Sequence, residues 1–395
     1  MSASGEGRRR VKRDRRGAEL HRARTRDGWD IALYRYPAPA GSTRQYPVLL
    51  CHGLGSNRNN LDYPGRLSLA KYLNEQGFDC WVVELRGAGQ SRRAGLFRRK
   101  TYDYGFDDYI GHDLPAALKY IARTVGHRGV HWVGHSMGGM LAYPLLETTD
   151  PDLVRSATTI GSPAMVLASD PIIDRLLPFS WLLKIVPFLP QGTLGKLASP
   201  LAGLARPLGH RIVWTSANID AATLRVMARH GIDDLASPLI FQYGVWYREK
   251  DFHNHYETLS YQEILHRITT PILFIAGTAD GLTPTRDIRL IYERVSSSRK
   301  QFLEVGVATG FSADYGHVDL VLGRRAPDEV FPRVRDWLIE NDVADAAGKR
   351  APRRPGHGRE RAREARRVAR EEQRARRGSR KPRVVLRPVP RRAAG

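Results

Sequence analysis

The sequence predicts an α/β fold: a mostly parallel sheet with helices on both faces and a mainly helical cap inserted late in the chain. Three observations predict it. Apolar strand-like runs alternate with helix-like segments over residues 18–163 and again over 268–340. Several of the strands, such as 47–51 and 271–276, are continuously apolar, the pattern of strands buried on both faces. Between Pro163 and about Arg267 the alternation stops, over a stretch too long to be a structureless loop.

Residues 18–25 and 29–36 read as strands flanking Asp27-Gly28, a dipeptide favoured in tight hairpins. This hairpin adds antiparallel strands at one edge. The strand 47–51 runs into the loop His52-Gly53-Leu54-Gly55. A helix around 67–75, a strand at 78–85 and the glycine loop 86–91 follow, then a helix through 108–124. A short buried strand at 130–133 leads into Gly134-His135-Ser136-Met137-Gly138 and an apolar helix carrying Met140, Leu141, Tyr143, Leu145 and Leu146. Residues 154–160 form the next strand. After the cap, 164–267, come strands at 271–276 and 301–305, with helices near 285–295 and 326–339. The cap's proline-punctuated apolar segments carry aromatics that include Phe179, Trp181, Phe188, Trp214, Phe241, Tyr243, Trp246, Tyr247 and Phe252. Such composition suits the wall of a hydrophobic pocket, with self-packing as the alternative.

Charge sits at the two ends. The chain carries a formal net charge of +22. Residues 1–26 hold 10 Lys+Arg against 3 acids, and residues 341–395 hold 19 against 6. The stretch between them is nearly balanced. The folded part therefore reads as an ordinary domain, with a basic disordered arm at 1–17 and an Arg-rich tail at 341–395. Without Phe, Tyr or Trp, the tail is expected to be disordered or a lone solvated helix. It offers at most a non-specific contact with polyanions or an anionic membrane surface. The two cysteines, Cys51 and Cys80, lie in apolar strands and read as buried thiols. No secretory signal or membrane-spanning run is visible, so a cytoplasmic location is expected.

A G-x-S-x-G between strand and helix is the pattern of a nucleophile elbow. The turn is tight enough to strain the serine backbone and to exclude side chains two residues to either side, hence Gly134 and Gly138. A serine hydroxyl needs a base, and the base needs an orienting carboxylate. Asp280, four residues past a buried strand, and His317, beyond the next strand, follow Ser136 in the order an elbow enzyme requires. Asp287, Asp314 and Asp319 are less well placed. Two backbone donors must hold the oxyanion of a tetrahedral intermediate. The amide of Met137 is one expectation and that of Leu54, in the early loop, is the other. His52 reads as a histidine that shapes this loop. His253 and His255 lack a third ligand at metal-binding spacing, and the 86–91 loop lacks phosphate-loop spacing, so neither metal nor cofactor is expected.

Taken together, the His52-Gly53 loop, Arg86-Gly87-x-Gly89-x-Ser91, Gly134 through Gly139, Asp280 and His317 resemble the alpha/beta-hydrolase fold superfamily over residues 48–338. The resemblance implies an eight-stranded sheet, a cap after the sixth strand and a Ser136–His317–Asp280 triad. More narrowly, residues 315–323, Ala326-Pro327, Val330-Phe331-Pro332 and Trp337-Leu338 are similar to the C-terminal part of polyhydroxyalkanoate synthases and acid lipases. Those synthases carry a cysteine nucleophile, and Ser136 here turns the expectation from polymerisation to hydrolysis. The reading is a serine esterase or lipase-like hydrolase for esters with a hydrophobic acyl or alcohol part. The alternatives are an acyltransferase and a non-catalytic binding protein on the same scaffold.

Overall fold

The structure, a computed structural model, describes residues 13–93, 101–127, 129–164, 185–204, 206–207, 209–210 and 212–343. Eight strands form its main sheet: β1 (Glu19–Arg24), β2 (Trp29–Tyr36), β3 (Val48–Cys51), β4 (Cys80–Glu84), β5 (Val130–His135), β6 (Val154–Ile160), β7 (Ile272–Gly277) and β8 (Lys300–Val305). Their spatial order is β1-β2-β4-β3-β5-β6-β7-β8. Only β2 runs against the rest, pairing antiparallel with β1 and β4. A two-residue ninth strand, Arg92–Arg93, pairs with β2 off this path. The eight-strand expectation is thus met by the main path, and the cap enters between β6 and β7.

Alternation of side chains builds a core on each face of the sheet. Leu49, Cys51, Trp81, Val83, Trp132, Ile272 and Phe274 share one apolar cluster, while Val48, Leu50, Cys80, Val82, Val133, Leu273 and Ile275 share the other. The helices Leu114–Val125 and Thr285–Arg294 supply the first cluster, and Leu69–Glu75 and Phe331–Asn341 supply the second. Both faces are dry, which explains why these strands read as unbroken apolar runs. Cys51 and Cys80 are free and buried, and burial pushes both thiols well above their ordinary range.

Among the described residues the cap is mainly helical, with Gln191–Ala198, Ala221–Val226 and Ser237–Glu249. It also has a short antiparallel ribbon, Phe188–Leu189 with Leu235–Ala236, that no sequence pattern suggested. Trp181 and Phe179 lie outside the described residues. Trp246 packs against other aromatic rings of the domain. It is buried among Phe106, Tyr243 and Phe252, and its indole N–H donates to the His253 carbonyl at 2.8 Å.

Both expected tail boundaries move outward. Residues 13–17 belong to the domain: Asp14 pairs with Arg58, and Arg16 bonds the Asp62 carbonyl. At the other end Asn341 is buried, and the Asp342 carboxylate accepts from the Gln45 and Tyr46 amides at 3.0 Å. Local charge reads as tail in both places, but long-range pairing holds these residues. The remainder, 1–12 and 344–395, lies outside the described residues. No described helix is long and apolar enough to cross a membrane.

Candidate active site

The residues singled out in the sequence follow the C-terminal ends of β3, β5, β7 and β8. Ser136 follows β5 directly and takes φ 54 and ψ −124, one of three described non-glycine residues with positive φ. Its amide donates to the Ile160 carbonyl at 2.8 Å, which ties the turn to the end of β6. The glycines around it answer to sterics. A Cβ on Gly134 would overlap the Gly138 backbone, one on Gly138 the Cys51 carbonyl, and one on Gly139 the Ser162 hydroxyl. The helix Met137–Met140 begins at once, so the Met137 amide has no acceptor within the helix.

Asp280 and His317 are brought together. His317 Nδ1 lies 2.8 Å from Asp280 Oδ2, and both side chains are buried. The carboxylate is itself held. Its Oδ1 accepts the Leu282 and Thr283 amides at 3.0 and 2.8 Å, and its Oδ2 accepts the Thr283 hydroxyl at 2.5 Å. Thr283 was missed in the sequence, although Asp-x-x-Thr is the spacing of a side chain that caps its own turn. Gly161, φ 56, passes beneath the pair: a Cβ there would stand 3.2 Å from His317 Nδ1 and 3.3 Å from Asp280 Oδ2. Asp314 is elsewhere, accepting the Thr278 hydroxyl and the Val307 amide.

The loop after β3 lies against the serine. A Cβ on Gly53 would be 3.1 Å from Ser136 Cβ. The Gly53 amide is taken up by Asn60 Oδ1 at 3.0 Å, so Leu54 is the next residue whose amide the loop can offer. His52 shapes this loop as expected: Nδ1 bonds the Gly53 carbonyl at 2.8 Å and Nε2 accepts the Leu85 amide at 3.1 Å. That tautomer is neutral, and burial pushes the ring's pKa down.

His135, between the elbow glycine and the serine, joins both halves of the site. One ring nitrogen lies 3.0 Å from Asn60 Oδ1 and the other 3.0 Å from the His317 carbonyl. Burial, with His317 beside it, pushes His135 down to about 3, so the ring is neutral near pH 7 and donates to one of the two acceptors. Neither His135 nor Asn60 drew attention in the sequence, because their role depends on contacts 182 and 75 residues away in the chain.

The cap is fastened to two loops of the site. Asn57 and Asn59 donate to the His230 carbonyl, and Asp233 accepts from Asn57 and from the Gly89 amide at 2.9 and 2.8 Å. Arg86 is buried and paired with Asp113 and Asp27, making the 86–91 loop a rigid connector. Asp27, Asp108 and His112 have ligand-compatible spacing, but the Arg86 guanidinium already faces this group, 3.7 Å from Asp108. His253 is spent on the Asn254 carbonyl and Glu249.

Comparison with known proteins agrees with the fold. Residues 46–306, about two-thirds of the chain, match the family model described as the alpha/beta hydrolase fold. The chain is 24% identical to triacylglycerol lipase 2 of Arabidopsis thaliana over 81% of its own length and 84% of the relative's. It is 23% identical to the tear acid lipase-like protein of Mesocricetus auratus over 82% and 86%. Among solved structures, an esterase from Thermogutta terrifontis superposes with a TM-score of 0.53 at 16% identity, covering 82% of this chain and all of that one. The monoacylglycerol lipase of Paleococcus ferrophilus gives 0.54 at 18%, covering 82% and 99%.

Proposed function

Because the chain belongs to the alpha/beta-hydrolase fold family, we propose that it is a serine hydrolase acting on carboxylic esters with a hydrophobic acyl or alcohol part, through an acyl-enzyme. One observation carries the reading: a strained elbow serine beside a buried His317–Asp280 pair. Ser136 Oγ attacks the ester carbonyl while the Nε2 nitrogen of His317 takes its proton and passes it to the leaving alcohol. Asp280 holds the Nδ1–H and favours the imidazolium that forms. The Met137 and Leu54 amides hold the oxyanion. Water, activated by the same histidine, then releases the acid. Relatives named as lipases support the substrate class.

The test is covalent labelling with a fluorophosphonate, together with turnover of esters of graded chain length. Ser136→Ala should remove the label and lower turnover by about 10⁴–10⁶-fold. Full turnover in that variant would overturn the mechanism. Product analysis with competing alcohols separates hydrolysis from acyl transfer, and cell fractionation tests the expected cytoplasmic location.

A further inference from the structure

The cap helix Gln191–Ala198, continued by the turn Ser199–Leu201, is folded inside out. Its inward face is small: Gly192 and Gly195 lie so close to the backbone of Ile232 and Ala228 that a Cβ would approach to 2.7 and 2.9 Å, and Ser199 is buried beside them. Its outward face is Leu194, Leu197, Leu201 and Leu204, spaced by three, four and three residues. These leucines are 59, 76, 65 and 77% exposed. A helix normally turns such a stripe inward, because burying leucine is favourable and burying glycine gains almost nothing. Here the close glycine contact fixes the opposite face outward, and four leucines in one line make a continuous apolar strip rather than scattered surface residues.

The charge around the strip selects its occupant. Lys196 is exposed on the same helix, at the flank of the leucine face, and the Arg225 guanidinium lies along Gly203, one residue before Leu204. Arg229 is exposed on the turn that the helix packs against. Residues 185–234 contain five Lys+Arg and three acids. Each acid is already held: Asp220 by Arg324, Asp233 by Asn57 and the Gly89 amide, and Asp234 by Thr193. Two copies of the chain meeting through this face would set these cations against one another. A surface that is apolar beneath and anionic at its head accepts both the leucines and the cations.

The geometry points to the 194–204 strip as a docking face for an anionic phospholipid membrane surface, with the leucines entering the acyl boundary and Lys196, Arg225 and Arg229 at the headgroups. This surface is independent of the ester chemistry, since binding is read without turnover. The test floats the full-length chain with phosphatidylcholine vesicles made with and without phosphatidylglycerol. The chain should partition onto the anionic vesicles and keep part of that binding when salt is raised, because insertion of apolar groups is not screened. Leu197→Glu with Leu201→Glu should weaken partition by about tenfold or more. Turnover of a water-soluble ester should stay the same. Lys196→Glu should weaken binding to anionic vesicles in proportion to their charge. Binding by the double variant equal to that of the unaltered chain would assign the contact to the basic termini and overturn the proposal. So would absence of binding by the unaltered chain, or self-association in sedimentation that the double variant abolishes. A lower melting temperature in the milder Leu197→Ser would mean the strip is covered within the molecule, and would overturn it equally.

Discussion

Thr215 donates its backbone N–H to the Asp319 carboxylate, 3.2 Å from Oδ1 and 3.3 Å from Oδ2, and so fastens the cap to the turn that carries His317. The Asn218 side-chain amide reaches the same carboxylate at 3.2 Å, and the Val318 amide donates back to the Val213 carbonyl at 2.8 Å. Burial is the largest influence on Asp319 and raises it to about 6 despite these donors. The sign follows by linkage. The folded state holds this proton more tightly than the unfolded chain, so the contribution to stability is full at low pH and lost as pH rises through about 6.

Asp319→Asn keeps the shape and removes the charge, but it turns an NH₂ toward groups that need an acceptor. Relative to the unaltered protein, the variant should gain ground between pH 5 and pH 7, on top of a constant loss of about 1–3 kcal/mol for the disturbed bonds. Urea unfolding at both pH values measures this. A stability difference that does not change with pH would show that Asp319 is not held protonated in the fold.

His135 should act in the opposite direction. Burial pushes it from an ordinary 6.5 to about 3, so its contribution is present above pH 6.5 and lost as pH falls toward 3. The protein should therefore lose more stability between pH 6.5 and pH 5 than a His135→Gln variant does. Equal acid sensitivity of the two in urea melts would place the titrating group elsewhere.

Asp280 and Asp314 are separated by their surroundings. Asp280→Asn should lower kcat by about 10³–10⁴-fold, because an amide facing His317 Nδ1 favours the wrong tautomer. Asp314→Asn disturbs contacts that include the Thr278 hydroxyl and the Val307 amide, and should leave kcat unchanged. Steady-state kinetics on a soluble ester decides. Reversal of the two effects would move the orienting carboxylate to Asp314.

Trp246 is packed among aromatic rings, which predicts a larger effect on stability than on substrate choice. Trp246→Ala empties a site between Phe106, Tyr243 and Phe252, and should cost about 3–5 kcal/mol in unfolding free energy with little change in relative rates across acyl chain lengths. A changed chain-length profile at unchanged stability would place it in the pocket wall.

What the sequence determined by itself is what local sterics and chain order dictate. Gly134 and Gly138 are legible because the G-x-S-x-G pattern marks the elbow. The clash that bars a Cβ is local for Gly134, which meets the Gly138 backbone, while Cys51 closes the space at Gly138 and Ser162 that at Gly139. The triad candidates are legible because each follows a strand in a required order, and the parallel sheet because both its faces exclude water. The tertiary structure alone decided which partners those residues meet. Asn60 reaches the Gly53 amide, His135 touches the His317 carbonyl, and Thr215 finds Asp319 across 104 residues, through crossings that no local pattern records. The leucines at 194, 197, 201 and 204 show the limit most plainly. Their spacing marks an apolar helical face, but which side faces inward was settled by the approach of Gly192 and Gly195 to another segment's backbone, a contact that exists only once the chain has folded.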